Sequence, residues 1–543
     1  MLQTDNGLRL SYTPTTTQGW QGDVAALAFD PERIKACLQN VEAPCYIVRG
    51  PDGQLGATNG GSPATNGHAG AFTLVASVPA LYAEQLGSPL FRAFHKVRYA
   101  YATGAMANGI ASEAIVIALG QQNMLASFGA AGLVPTRVEQ AIQRIQAALP
   151  DGPYAFNLIH SPSEEALERG AVELYLRHGV YTVEASAFMA LTPHIVRYRV
   201  AGLHLNEQNQ LEIRNRVIGK ISRREVASQF MNPAPPRLLA QLLESGLITE
   251  QQAHLAQYVP MADDITVEAD SGGHTDNRPL VSLLSSIIDL RNEIQEQQQY
   301  GLEVRVGAAG GIGTPSAALG AFMMGADYVV TGSVNQACIE AGTSEHTRKL
   351  LAQAGIADVM MAPAADMFEM GVKVQLLKRG TLFPMRAQKL YELYQQYDSL
   401  EAIPADERAR LEQQVFQKSL DDIWQETVDY FMKRDPDQIA RAADKPKRKM
   451  ALVFRWYLGL SSRWSNTGTP GREMDYQIWC GPSMGAFNDW VRGSYLEHPE
   501  HRSVVDIAYH IMRGTVFLYR IQQLRLQGLA LPAPYAHYRP GRV

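Results

Sequence analysis

The stretch Val304–Ser333, VRVGAAGGIGTPSAALGAFMMGADYVVTGS, decides the fold. An apolar run ends in the glycine-rich turn Gly307–Gly313, a helix is expected to open at Thr314-Pro315, and a second apolar run ends at Thr331-Gly332-Ser333. Glycines without a β-carbon let backbone N–H groups approach an anion, and a helix start adds a favourable partial charge. Pro315 suits the first helical position, where its missing N–H costs nothing. Gly310, Gly311, Gly332 and Ser333 are therefore candidate phosphate-binding residues. The glycine spacing does not match GxGxxG, and the stretch lies on the penultimate strand of a series, not the first. A mononucleotide phosphate held between the last two βα loops of a barrel fits better than a dinucleotide turn. Glycines serving only close packing are the alternative.

Upstream, from about residue 98, short apolar runs alternate with amphipathic segments of helical length, the order of parallel strands joined by crossover helices. Strands are expected at Tyr101–Ala107, Leu125–Phe128, Tyr154–His160, Tyr181–Glu184, Val217–Ile221, Ile265–Ala269, Val304–Ala309 and Tyr328–Thr331. Eight such runs predict a TIM (β/α)8 barrel over 98–335, within the α/β class; an open doubly wound sheet would need a switch point. Between residues 223 and 263 the proline-broken segment MNPAPPRLLAQLLESGLITEQQAHLAQYVPMADD is too long for an ordinary βα connection. Because it follows a strand, this helical insert is expected over the barrel mouth, unless it is a structural packing insert.

Residues 1–97 read as an α+β N-terminal extension containing a loop or linker, Gly53–Gly70, and residues 336–543 as a helical C-terminal region. The basic run Lys445–Lys449 is expected to be a solvated face, with an acidic partner surface as the other reading.

Across the 543 residues, 46% are hydrophobic and 19% charged, which excludes disordered and disulfide-scaffold classes. The 49 basic and 54 acidic side chains leave a net charge of -5, so no global cationic field exists for nucleic acid or an anionic membrane. Cys37, Cys45, Cys338 and Cys480 lack metal-ligand spacing and read as reduced thiols. The N-terminus lacks a signal-like pattern and no run reaches the ~18 apolar residues of a membrane helix, so a cytoplasmic protein is expected.

Other strand ends carry polar atoms. In TVEADSGGHTDNRP, the two glycines Gly272 and Gly273 permit close approach of a cofactor, Asp270 and Ser271 beside them are further cofactor-binding candidates, and His274 offers a proton or hydrogen-bond donor to a polarised carbonyl. Histidines in such positions are otherwise structural. Asn157 is a ligand candidate, while Glu184 and Lys220 are either ligands or an internal ion pair. In TGAMANGIAS, the small residues Ala105 and Ala107 around Met106 would let a flat aromatic ring lie against the strand end, a flavin-like requirement.

The segments AMANGIAS, FNLIHSP, VEASAF, VIGKISR, EADSGGHTDNRP, AAGGIGTPSAALGAFMMGADYVVTGSVNQA and EMGVKVQLLKRGTLFPMRAQKLYELY together resemble the PfaD family. These are the trans-acting enoyl reductases of polyunsaturated fatty acid and polyketide synthases, within the nitronate-monooxygenase-like flavin barrels. The resemblance covers about residues 100 to 543. It implies an FMN-bearing barrel that takes hydride from NADPH and reduces the α,β double bond of an enoyl thioester on an acyl carrier protein. It further implies that Gly310, Gly311, Gly332 and Ser333 hold the FMN phosphate, Ser333 standing where simpler relatives have threonine. Met106 and Asn157 would border the isoalloxazine, and His274 matches the histidine of the superfamily's GGH motif. His274 is the first choice of donor and Lys220 the second; the insert's Leu238, Leu239, Leu242 and Leu243 would face an acyl tunnel. A nitronate-oxidising flavoenzyme and a non-catalytic FMN-bound assembly subunit are the competing readings, and a homodimer contact through the C-terminal helices is a further expectation.

Overall fold

The computed structural model describes residues 7–10, 18–64, 71–160 and 165–542. Eight parallel strands close into a barrel in simple chain order: β1 Tyr101–Thr103, β2 Leu125–Phe128, β3 Ala155–Ile159, β4 Thr182–Ser186, β5 Arg216–Ile221, β6 Asp264–Glu268, β7 Arg305–Ala309 and β8 Val329–Thr331. Each overlaps the run expected for it. Most strand residues are buried, as strands covered by helices outside and side chains inside must be. Gly307 shows how the interior is filled: a β-carbon there would lie 2.4 Å from the Tyr328 ring, which stacks on Phe91 at 4.2 Å. Helix Pro315–Met323 begins where expected, with Thr314 Oγ1 accepting from Ala317 N–H.

The barrel is closed at its N-terminal end by buried charge. Asp264, the first residue of β6, takes Arg305 Nε at 2.6 Å and His95 Nε2 at 2.8 Å. Arg199 grips Asp263 with two guanidinium nitrogens, at 2.7 and 2.9 Å. In a low-dielectric floor each charge needs its partner, and these pairs fix the register of neighbouring strands.

The insert lies at this same end, not over the mouth. Helix Arg224–Met231 is the ordinary outer helix after β5, running back toward the strand N-termini. The next two helices, Pro236–Glu244 and Glu250–Leu255, therefore emerge at the bottom: Tyr300 Oη, just ahead of β7, donates to Met231 O, and Gln252 Nε2 to Ala201 O at the end of the helix after β4. Leu238, Leu239 and Leu242 are buried in the main core and Leu243 faces outward, so they line no acyl tunnel at the mouth. A hairpin, Leu203–Leu205 with Leu211–Ile213, packs beside the second of these helices, where the sequence pattern predicts no strand.

The N-terminal extension is a five-stranded sheet in the order Leu55–Thr58, Cys45–Arg49, Thr73–Val78, Gln18–Gln21, Ser62–Pro63. Part of the expected linker is thus strand. Leu55 and Ala57 are buried, and Gly56 is required because a β-carbon would lie 2.8 Å from the Phe29 ring. Residues 65–70 of that stretch lie outside the described residues.

The C-terminal region is mostly helical but holds a strand pair, Val359–Pro363 and Lys373–Leu377, which joins Gly273–His274 in a three-stranded antiparallel sheet. This region covers the barrel mouth. A β-carbon on Gly272 would stand 2.9 Å from the Cys480 and Gly481 backbone, one on Gly313 would stand 2.7 Å from Ser483 O, and Asn108 Nδ2 donates to Ser462 Oγ at 3.0 Å. The basic run is largely used internally: Lys447 caps the carbonyls of Tyr394 and Tyr397, Arg448 reaches Gln438 at 2.7 Å and Lys449 pairs with Glu401 at 3.5 Å. All four cysteines are free. Among the described residues no helix is long and apolar enough to cross a membrane.

Candidate active site

Adjacent strands β7 and β8 pair at Ala308 and Val329 and end at Ala309 and Thr331, so the turns Gly310-Gly311 and Gly332-Ser333 leave neighbouring strands at the same end of the barrel. Gly310 and Gly311 both adopt positive φ, 79° and 75°. At Gly310 a β-carbon would strike the Ala269 backbone at 2.6 Å; at Gly311 and Gly332 it would meet nothing within 4 Å. The first glycine is demanded by packing, whereas the other two border open space. Ser333 Oγ accepts from Gly481 N–H at 3.0 Å, which leaves its own proton free to donate. Ser271 Oγ is buried with no partner among the described residues. An orphaned hydroxyl and a cradle that side chains would fill suit a phosphate-bearing cofactor such as FMN.

Below the cradle, the inward side chains of β3 to β6 form a polar floor. Asn157 on β3 lies opposite Glu184 on β4 and donates to Glu184 O at 3.1 Å and Ser186 Oγ at 2.8 Å. The Glu184 carboxylate accepts Ala105 N–H at 3.2 Å, pinning the segment after β1 on which half-buried Met106 and Ala107 also lie. Lys220 on β5 stands 3.8 Å from Glu184 and 3.2 Å from Glu268. The internal ion pair is therefore present, and Glu268 makes it a triad. Burial raises the Glu184 pKa against the lowering effect of Lys220. Burial disfavours the Lys220 cation, but the two carboxylates outweigh it and its pKa is raised, so the ammonium persists at neutral pH. Such a group stabilises negative charge better than it gives up a proton.

The loop after β6 carries the remaining candidates. Gly273, at φ 81°, turns the chain into the short strand that presents His274. His274 Nε2 lies 3.2 Å from Asp366 Oδ1, and its side chain is 40% exposed. Asp270 is engaged otherwise: its Oδ1 takes Gln375 Nε2 at 2.7 Å and Asn277 Nδ2 at 2.9 Å, which makes it a staple of the loop. Gln375 also donates to Ser271 O at 2.7 Å. A cleft of about 750 Å³ opens beside the ends of β5 and β6, lined among others by Ser222, Arg223, Asp276, Arg278 and Ser282. Sequence reasoning missed Asp366, Gln375 and Gly481, which reach the site only through folding. For Gln375 a signal existed, since the alternating VKVQLL is strand-like.

Comparison with known proteins shows which chains share this sequence and fold. The profile of the fatty acid synthase subunit PfaD N-terminal domain matches residues 20–80, and that of the [acyl-carrier-protein] S-malonyltransferase inserted helical domain matches residues 397–476. A polyunsaturated fatty acid synthase subunit of Thraustochytrium sp. is 50% identical over 512 residues, covering 92% of this chain and 33% of the relative. Polyketide biosynthesis protein PksE of Bacillus subtilis is 46% identical over 437 residues, 80% of this chain and 57% of the relative. The chain thus spans a third to just over half the length of these relatives. The crystal structure of the enoyl reductase domain of MlnA, from the macrolactin biosynthesis cluster of Bacillus amyloliquefaciens, superposes with a TM-score of 0.78 at 38% identity, covering 82% of this chain and 99% of that domain. Sharing fold and sequence across nearly the whole of that domain, the chain belongs to the PfaD family.

Proposed function

We propose that this chain is an FMN-dependent enoyl reductase that acts, with NADPH, on enoyl thioesters carried by acyl carrier protein domains of a polyunsaturated fatty acid or polyketide synthase. The observation that carries the reading is the open double turn at Gly310-Gly311 and Gly332-Ser333, set beside a floor bearing Lys220 and a loop bearing His274. Bound FMN would supply hydride chemistry between NADPH and the β-carbon of the substrate. Gly311, Gly332 and Ser333 bind its phosphate, and Asn157, Ala105 and Met106 position its ring.

The electron pair displaced from the double bond shifts toward the thioester oxygen, where the Lys220 ammonium lowers the energy of the developing charge. His274 delivers the proton to the α-carbon, which completes addition of one hydride and one proton across the double bond. The cleft at Ser222, Arg223 and Arg278 is the approach for the carrier-linked arm, in place of the insert.

Purified protein is expected to be yellow, with bound FMN bleached anaerobically by NADPH and restored by a crotonyl or longer enoyl thioester. His274→Ala should slow restoration about 10²-fold or more while bleaching changes little. Bleaching without restoration by any enoyl thioester would overturn the reading; oxygen uptake with a nitronate would then support the oxidase alternative, and a yellow protein inert toward both NADPH and enoyl thioesters the assembly role.

A further inference from the structure

His274 is held by a part of the chain remote from the barrel. It sits opposite Val374 at the edge of the three-stranded sheet, and the connection between the other two strands of that sheet, residues 364–372, carries Asp366. Asp366 Oδ1 lies 3.2 Å from His274 Nε2 and also accepts its neighbour's N–H, Met367, at 3.1 Å, which fixes the carboxylate. A carboxylate facing Nε2 determines the tautomer: Nε2 keeps its hydrogen toward Asp366, and Nδ1 is left to exchange a proton with whatever occupies the mouth.

We infer that Asp366 is a positioning residue of the reduction, holding His274 so that Nδ1–H is the proton given to the α-carbon; this deepens, and rests on, the enoyl reductase reading. The charged groups around the ring are Asp366 from the C-terminal region, Glu268 from β6 and Lys220 from β5. Burial disfavours the imidazolium and Lys220 opposes it, but the Asp366 hydrogen bond and the charges of Asp366 and Glu268 prevail, and the His274 pKa is raised. Partial desolvation favours the neutral form of Asp366, whose side chain is 49% exposed, yet His274 and the local N–H groups hold its pKa below the ordinary value. The imidazolium and the carboxylate thus each favour the charged form of the other. Loss of the Nδ1 proton leaves neutral imidazole with Nε2–H still on Asp366, and the partly exposed ring recovers a proton from water.

The test is Asp366→Asn and Asp366→Glu in the full chain loaded with FMN. In Asp366→Asn the His274 ring, followed by NMR and assigned by its loss in His274→Ala, should titrate at lower pH than in the parent. Reduction of a carrier-bound enoyl thioester should fall about 10- to 100-fold in kcat at pH 8 and much less at pH 6, where acid restores the imidazolium. KM and FMN content should hold, and Asp366→Glu should recover most of the rate. An unchanged His274 titration, or an equal loss at both pH values, would overturn the inference. Should the parent reduce no enoyl thioester, the NMR titration still decides the pairing, so failure of the functional reading is distinguishable.

Discussion

At Gly332 the backbone has φ -133° and ψ -83°, and an added β-carbon would meet open space. Gly332→Ala should therefore fold like the parent, its FMN-free stability within about 1 kcal/mol, yet bind FMN at least about tenfold more weakly because the methyl occupies the volume a phosphoryl oxygen needs. Gly310→Ala is the contrasting case. Its positive φ and the Ala269 backbone at 2.6 Å should cost stability of about 1–3 kcal/mol even without cofactor. Denaturant unfolding and fluorescence titration with FMN read the two apart; equal behaviour of the two variants would remove the phosphate assignment. That these glycines, with His274, Lys220 and Asn157, lie near or just beyond strand ends was legible, because strand ends of a barrel converge on one point whatever lies between them. Asp366 was not. Nothing in MAPAADMFEMG marks a carboxylate 92 residues downstream as a histidine partner until a strand pair brings it there.

Among the elements, the barrel strands were readable because runs buried on both faces stand out from the amphipathic helices between them. The strands of Leu55–Thr58 and Gly273–His274 were hidden: one is interrupted by glycine and the other has two residues. The insert sits at the opposite end from its expected place for a directional reason. An outer helix returns the chain to the bottom, so the segment after it cannot cover the top. Leu242→Ala, at a position 2% exposed, should accordingly cost about 2–5 kcal/mol in denaturant unfolding while leaving acyl chain-length preference unaltered. A changed preference at normal stability would restore the tunnel.

Taken whole, the molecule is tied together by its last long helix, Val504–Leu526. Arg520 is buried and donates to the carbonyls of Asn40, Val41 and Ala43, while His510 lies between Tyr495 and Tyr538. Burial lowers the His510 pKa to about 4, outweighing the opposite pull of Asp506. A histidine depressed in the folded state destabilises on acidification: its contribution is intact above the ordinary value near 6.5 and is lost as pH falls toward 4, on the order of 3 kcal/mol in all. His510→Gln should shrink the difference in unfolding free energy between pH 7 and pH 4.5, and an unchanged difference would assign the acid sensitivity elsewhere.

The same helix supplies Val516, Phe517, Ile521 and Leu524 to the core beneath the N-terminal sheet, and strand Arg9–Leu10 pairs with Leu529–Ala530. During synthesis this sheet must therefore wait with its apolar face uncovered until the far later helix that covers it has emerged.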